Sequence, residues 1–143
     1  MAALRAVLDT TFFVLHYFSS DPTIQVKSKE ILRICRKLGN AGIVPTIVLA
    51  EFYVQVAKRA GREQAKMLFN EMRNAGLNIV AMDVSVAEHA ATLRHKYHEK
   101  IPWGDCIVAA SGITNKANFI ISEDTHFNEI MEIKARKLAS VHV

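Results

Sequence analysis

Two cysteines, Cys35 and Cys106, are all that this chain of 143 residues contains. They are too few and too far apart for a CxxC site or a disulfide framework, so the sequence predicts a domain of the reducing cytoplasm. Long hydrophobic runs are missing too. The longest apolar stretches are broken by Pro45, Thr46, Glu51 or Asp105, well short of a membrane span. Met1-Ala2-Ala3-Leu4-Arg5 leads straight into a strand-like segment and lacks the layout of a signal peptide. With no internal repeat, low-complexity tract or linker, one domain over residues 1–143 is expected. Neither sign of charge dominates: 18 Lys and Arg against 14 Asp and Glu give a net charge of +4. A surplus that small fits a solvated surface as well as a nucleic-acid partner. It gains meaning only if several carboxylates share one pocket, because the remaining surface is then more basic and draws polyanions.

What is present is globular: half the residues are hydrophobic and 22% are charged, enough for one sizeable core. Residues 5–8 read as a short strand buried on both faces, and residues 10–18 as a helix. Asp21-Pro22 opens a second helix, with Ile24, Ile31, Leu32, Cys35 and Leu38 on its apolar face. Residues 39–42 stop it before a strand at Ile43-Val44. Helices follow over residues 46–60, built on Val48, Leu49, Phe52 and Val56, and 62–75, built on Ala65, Leu68, Phe69 and Met72. Strand 77–82, a helix opened by a Ser85/Glu88 capping box and running to about Tyr97, helix 105–116, strand 119–122 and a last strand near 137–143 complete the chain. Short apolar strands alternating with amphipathic helices predict an α/β domain with a mostly parallel sheet. Ligands in such sheets bind beyond the carboxyl ends of the strands, where the strand order switches direction.

Four carboxylates stand where a core would not place a charge: Asp9 after Ala6-Val7-Leu8, Glu51 within an apolar helix, Asp105 before Cys106-Ile107-Val108, and Asp124 after Phe119-Ile120-Ile121-Ser122. Each buried carboxylate needs a donor, a counter-ion or water. Taken singly, three have bland readings. Asp9 caps the next helix, Asp124 opens a turn, and Asp105 sits in a first helical turn where the macrodipole favours an anion. Glu51 has no such excuse, since no basic residue lies three or four positions away and its stripe borders the buried face. A solvated edge position is its remaining alternative. If the fold gathers the four, they require a cation, and hard oxygen ligands suit Mg²⁺ or Mn²⁺.

Val7-Leu8-Asp9-Thr10-Thr11, Leu49-Ala50-Glu51, residues 101–110 around Pro102-Trp103-Gly104-Asp105, and Ile121-Ser122-Glu123-Asp124-Thr125-His126-Phe127 together resemble the PIN domain, and within it the VapC-type toxin ribonucleases. The resemblance spans nearly the whole chain in order. It implies a three-layer α/β/α sandwich with a five-stranded parallel sheet, and Mg²⁺- or Mn²⁺-dependent cleavage of RNA. It carries catalytic and metal-binding roles onto Asp9, Glu51, Asp105 and Asp124, and supporting hydroxyls onto Thr10 and Ser122. Two departures stand out: His126 occupies a place where many relatives have an acid, and Glu123 is acidic where a basic or neutral residue is common.

The expected chemistry is attack of a metal-activated water on phosphorus, with no histidine required as base. His126 is the one histidine near the site in sequence. Lys58, Arg59 and Arg62 cluster round Gly61 as candidate RNA contacts, and Trp103 is a candidate base-stacking residue, although packing explains it more simply. The resemblance further implies an antitoxin partner and a homodimer, for which helices 46–60 and 62–75 offer apolar surface unless that surface is core. The competing expectations are a processing or decay nuclease without antitoxin and a catalytically silent RNA-binding module. A receiver or an aspartyl phosphatase is disfavoured because Asp9 is followed by Thr10-Thr11 and lacks a second acid.

Overall fold

A computed structural model describes residues 3–143. Five parallel strands form one sheet in the order β3-β2-β1-β4-β5: β1 (Arg5–Leu8), β2 (Ala41–Pro45), β3 (Asn78–Val80), β4 (Phe119–Ile121) and β5 (Lys134–Arg136). Six helices accompany it: α1 (Thr10–Phe18), α2 (Pro22–Cys35), α3 (Thr46–Ala60), α4 (Arg62–Arg73), α5 (Val84–Lys96) and α6 (Trp103–Thr114). This is the expected PIN-like α/β/α sandwich.

The pleat tells which helix covers which face, because successive residues of a strand point to opposite sides. Ala6 pairs with Gly42, and a Cβ on Gly42 would touch the Cys35 side chain of α2. Val7 pairs with Ile43, and a Cβ on Gly112 of α6 would touch Val7. So α2 and α6 lie on opposite faces, and both faces of β1 are buried, which explains its unbroken apolar run. Val48, Leu49, Phe52 and Val56 form the buried stripe of α3, and Ala65, Leu68 and Met72 that of α4. These two helices pack on each other and their buried stripes are core, while Val54 of α3 and Met67 of α4 stay exposed.

Strand order carries the functional geometry. The chain moves outward from β1 through β2 to β3, then returns to place β4 on the other side of β1. The switch therefore lies between β1 and β4, with Asp9 beyond the carboxyl end of one and Ser122-Glu123-Asp124 beyond the other.

Several boundaries differ from expectation. Strand β2 begins at Ala41, since the Ala41 N–H donates to the carbonyl of Leu4 at 2.8 Å and draws the supposed helix stop into the sheet. Helix α5 is capped by Asp83, whose Oδ1 accepts from the Val86 N–H at 2.9 Å, so the Ser85/Glu88 pair is not its capping box. Helix α6 begins at Trp103, two residues early, with Pro102 as its cap position. The last strand lies at Lys134–Arg136, and the predicted segment 137–143 is instead a 3₁₀ turn, Leu138–Ser140, flanked by irregular chain. Leu38 falls beyond α2 and is fully exposed.

Candidate active site

Asp9 is held by the sheet itself. Its N–H donates to the carbonyl of Ile121 at 3.2 Å, extending the β1–β4 ladder by one residue. It stands at the N-cap of α1, yet its carboxylate makes no capping bond, which removes the bland reading. Instead Oδ2 accepts a 2.6 Å hydrogen bond from the Ser122 hydroxyl, and the residue is only 4% exposed. Burial pushes its pKa up. The Ser122 hydroxyl and the Thr10 backbone bond work against that rise, while the charges of Glu51 and Asp124 add to it.

Ser122 and Thr11 staple the two strand ends together. Ser122 Oγ accepts from the Asp124 N–H at 3.0 Å and lies 3.2 Å from Thr11 Oγ1, which accepts from the Glu123 N–H at 2.9 Å. Sequence reasoning misses Thr11. Its only signal there is its position two residues after Asp9, and its role depends on a contact with a segment more than a hundred residues away.

Glu51 lies on the exposed side of α3, where its Oε1 accepts from Thr10 Oγ1 at 3.0 Å. The N-terminus of α6 approaches it closely because residue 104 is glycine: a Cβ there would stand 3.0 Å from Glu51 Oε2. Glu51 is thus a solvated edge residue by exposure, drawn toward the buried acids by Thr10.

Asp105 enters from the first turn of α6 with its side chain 14% exposed. Its Oδ2 is buried and accepts no hydrogen bond. His126 Nδ1 is 3.2 Å from that oxygen, within ion-pair reach. Desolvation first, then the negative charge of Asp124 and side-chain hydrogen bonding with it, then the charge of Asp9, push the Asp105 pKa up to about 7, with His126 opposing. Asp124 does cap a turn, as its bland reading held: Oδ1 accepts from the His126 N–H at 2.9 Å at the start of the 3₁₀ turn Thr125–Glu129. The same Oδ1 is 2.9 Å from His126 Nδ1.

Asp105, Asp124 and His126 each offer a ligand atom within 4.8 Å of the others; Asp9 and Glu51 stand outside that tight set. Among the described residues, no lysine or arginine pairs with any of the four acids. Glu123 is turned elsewhere, its Oε2 accepting from the Leu138 N–H at 3.0 Å. Lys58 and Arg59 end α3 and Arg62 begins α4, all exposed, with the Arg59 guanidinium 5.2 Å from the Phe18 ring centre. Lys58 follows Glu51 by two helical turns on the same face, about 10 Å along the axis. Trp103 is half-exposed, and the Arg94 guanidinium lies 5.1 Å from its ring centre.

Comparison with known proteins fits this architecture. A chain of VapBC2 from Rickettsia felis, solved bound to a DNA fragment from their promoter, superposes with a TM-score of 0.73 at 18% identity, covering 94% of this chain and 98% of that one. DNA-bound VapBC from Salmonella typhimurium gives 0.74 at 15% identity, with 94% and 98% covered. VapC20 of Mycobacterium tuberculosis, described as a sarcin-ricin loop cleaving toxin, gives 0.68 at 15% identity, with 90% and 98% covered. At these identities the likeness is one of fold. No curated protein matches the chain in sequence. The sequence itself matches the PIN domain family over residues 6–133, a span that holds all four acids and every strand but β1's first residue and β5. With the sheet order, the switch-point acids and that match in agreement, the chain belongs to the PIN domain family.

Proposed function

We propose that this protein is a metal-dependent endoribonuclease and the toxin member of a type II toxin–antitoxin pair. The observation that carries the reading is the crowding of Asp9, Glu51, Asp105 and Asp124 at the β1/β4 switch, with no lysine or arginine paired to them among the described residues. The buried, unbonded Oδ2 of Asp105 and its raised pKa are what a site built for a cation presents before that charge is supplied. The residues therefore fit Mg²⁺ or Mn²⁺, held by these four carboxylates directly or through water. A divalent ion there supplies Lewis-acid stabilisation of charge on a phosphoryl group and makes a water acidic enough to be a nucleophile near neutral pH.

The chain's own groups orient the ligands. The Ser122 hydroxyl fixes the Asp9 carboxylate, Thr10 fixes that of Glu51, and the turn at Thr125 fixes that of Asp124. Lys58, Arg59 and Arg62 provide a basic rim for the RNA backbone, and the several VapBC complexes among the similar structures favour an antitoxin partner. A homodimer in the cytoplasm is the expected state, to be checked by sedimentation.

The test is incubation of purified protein with structured RNA and Mn²⁺ or Mg²⁺, followed by mapping of the product ends. Hydrolysis by water leaves a 5′-phosphate and a 3′-hydroxyl, and a chelator stops it. Products with 2′,3′-cyclic phosphate, or cleavage that survives the chelator, would refute the reading.

A further inference from the structure

Resting on the metal-dependent reading above, we propose that His126 is itself a metal ligand, and that Asp105, Asp124 and His126 form a mixed oxygen–nitrogen site selecting imidazole-accepting first-row ions such as Mn²⁺ over Mg²⁺. The four-acid set does not include this residue, and its ring is the group that stands among the carboxylates.

The distances are those of neighbouring ligands. Groups bound at about 2.1 Å in adjacent octahedral positions stand about 3 Å apart. His126 Nδ1 is 2.9 Å from Asp124 Oδ1 and 3.2 Å from Asp105 Oδ2, and all three atoms lie within 4.8 Å of one another. The bonding of Asp105 adds to that spacing. Asp105 Oδ2 is buried and has no hydrogen-bond partner, although Nδ1 lies 3.2 Å away. That oxygen therefore keeps its lone pairs for an ion.

The backbone holds the ring in place. His126 donates its N–H to Asp124 Oδ1, and Phe127, next in the same turn, is fully buried and anchors it. The His126 side chain is 47% exposed, so an ion enters without displacing core. Asp105 comes from α6 and Asp124 and His126 from the turn after β4, so the trio ties two elements. Carboxylates alone suit Mg²⁺ and Mn²⁺ alike; an imidazole nitrogen shifts preference toward transition ions, because Mg²⁺ demands oxygen and gives up water reluctantly.

The test uses Mn²⁺ alone, without RNA, on wild-type protein and on His126→Asp and His126→Ala. Pulsed electron paramagnetic resonance of the bound Mn²⁺ should reveal a directly coupled ¹⁴N nucleus in the wild type and lose it in both variants. Competition with Mg²⁺ should show the Mn²⁺ preference falling by about tenfold or more in His126→Asp, a loss in the range for disturbed metal sites. Mn²⁺ bound to the wild type without nitrogen coupling overturns the proposal and leaves the four-carboxylate reading intact. Coupling that persists in His126→Asp overturns it equally. Failure of the wild type to bind any ion overturns both. Circular dichroism of each variant separates ligand loss from unfolding.

Discussion

At the scale of single residues, the environment of Asp105 sets a pH dependence. Its pKa in the fold, about 7, lies above the ordinary carboxylate value of 3.8, so the folded state holds the proton more tightly than the unfolded chain. The stabilisation is complete below about pH 4 and is lost as pH rises through about 7. In chelator, the melting temperature should fall across that window, and Asp105→Asn should flatten the fall. An equally steep decline in the variant would assign the effect to other groups. Ser122 offers a second test, because its hydroxyl donates to the buried Asp9 Oδ2. Ser122→Ala should cost about 1–3 kcal/mol in urea denaturation by leaving that oxygen unsatisfied, where an ordinary exposed serine costs almost nothing. The same residues mark how far sequence reasoning reaches. Glu51 is conspicuous because its apolar helix offers no neighbour to neutralise it, and strand ends tie Asp9 to Asp124. His126 is marked only by its place two residues after Asp124, and Thr11 gives little signal. A 3₁₀ turn has no long periodicity from which to read a side chain's direction, and a hydroxyl's partner across the sheet depends on tertiary register.

At the scale of elements, two glycines of α6 separate packing from function. A Cβ on Gly112 would meet Ile133 Cδ1 at 2.7 Å and Val7 Cγ2 at 2.8 Å, so core crowds it from two sides. Gly112→Ala should therefore destabilise the fold by about 1–3 kcal/mol. A Cβ on Gly104 meets only the far end of the Glu51 side chain at 3.0 Å. Gly104→Ala should leave the melting temperature nearly unchanged while displacing Glu51 from Thr10, so it should weaken Mn²⁺ binding and RNA cleavage without unfolding. Equal thermal losses in the two variants would contradict this division. Buried stripes are the most legible elements: those of α3 and α4 follow helical periodicity because one face of each packs on core. Ends are less so. Asp83 displaces Ser85 as the cap of α5, and β5 forms at Lys134–Arg136, three residues whose exposed, half-buried, exposed alternation is too short to register as a strand. That strand is defined by its pairing with β4, which local sequence does not encode.

At the scale of the whole molecule, the net charge of +4 is a sum over unlike regions. Four acids sit at the switch point, while Lys58, Arg59 and Arg62 lie exposed around the α3–α4 junction. RNA affinity should accordingly fall with salt. Replacing those three residues by alanine should reduce the log–log slope by about 0.7 for each phosphate they cease to neutralise. Fluorescence anisotropy in a cleavage-deficient background would read this, and an unchanged slope would move the RNA path elsewhere. The parallel α/β sandwich is legible because alternating strands and helices of these lengths admit few other arrangements. Strand order then turns separate sequence positions into one site. The most direct test of that site is RNA cleavage with Mn²⁺ by wild type and Asp9→Asn side by side, with melting temperatures measured on the same samples. The account predicts metal-dependent, chelator-sensitive cleavage by the wild type and at least about a hundredfold loss in Asp9→Asn, as for removal of a group that stabilises the transition state, with the fold intact. Undiminished cleavage by a folded Asp9→Asn protein would contradict it.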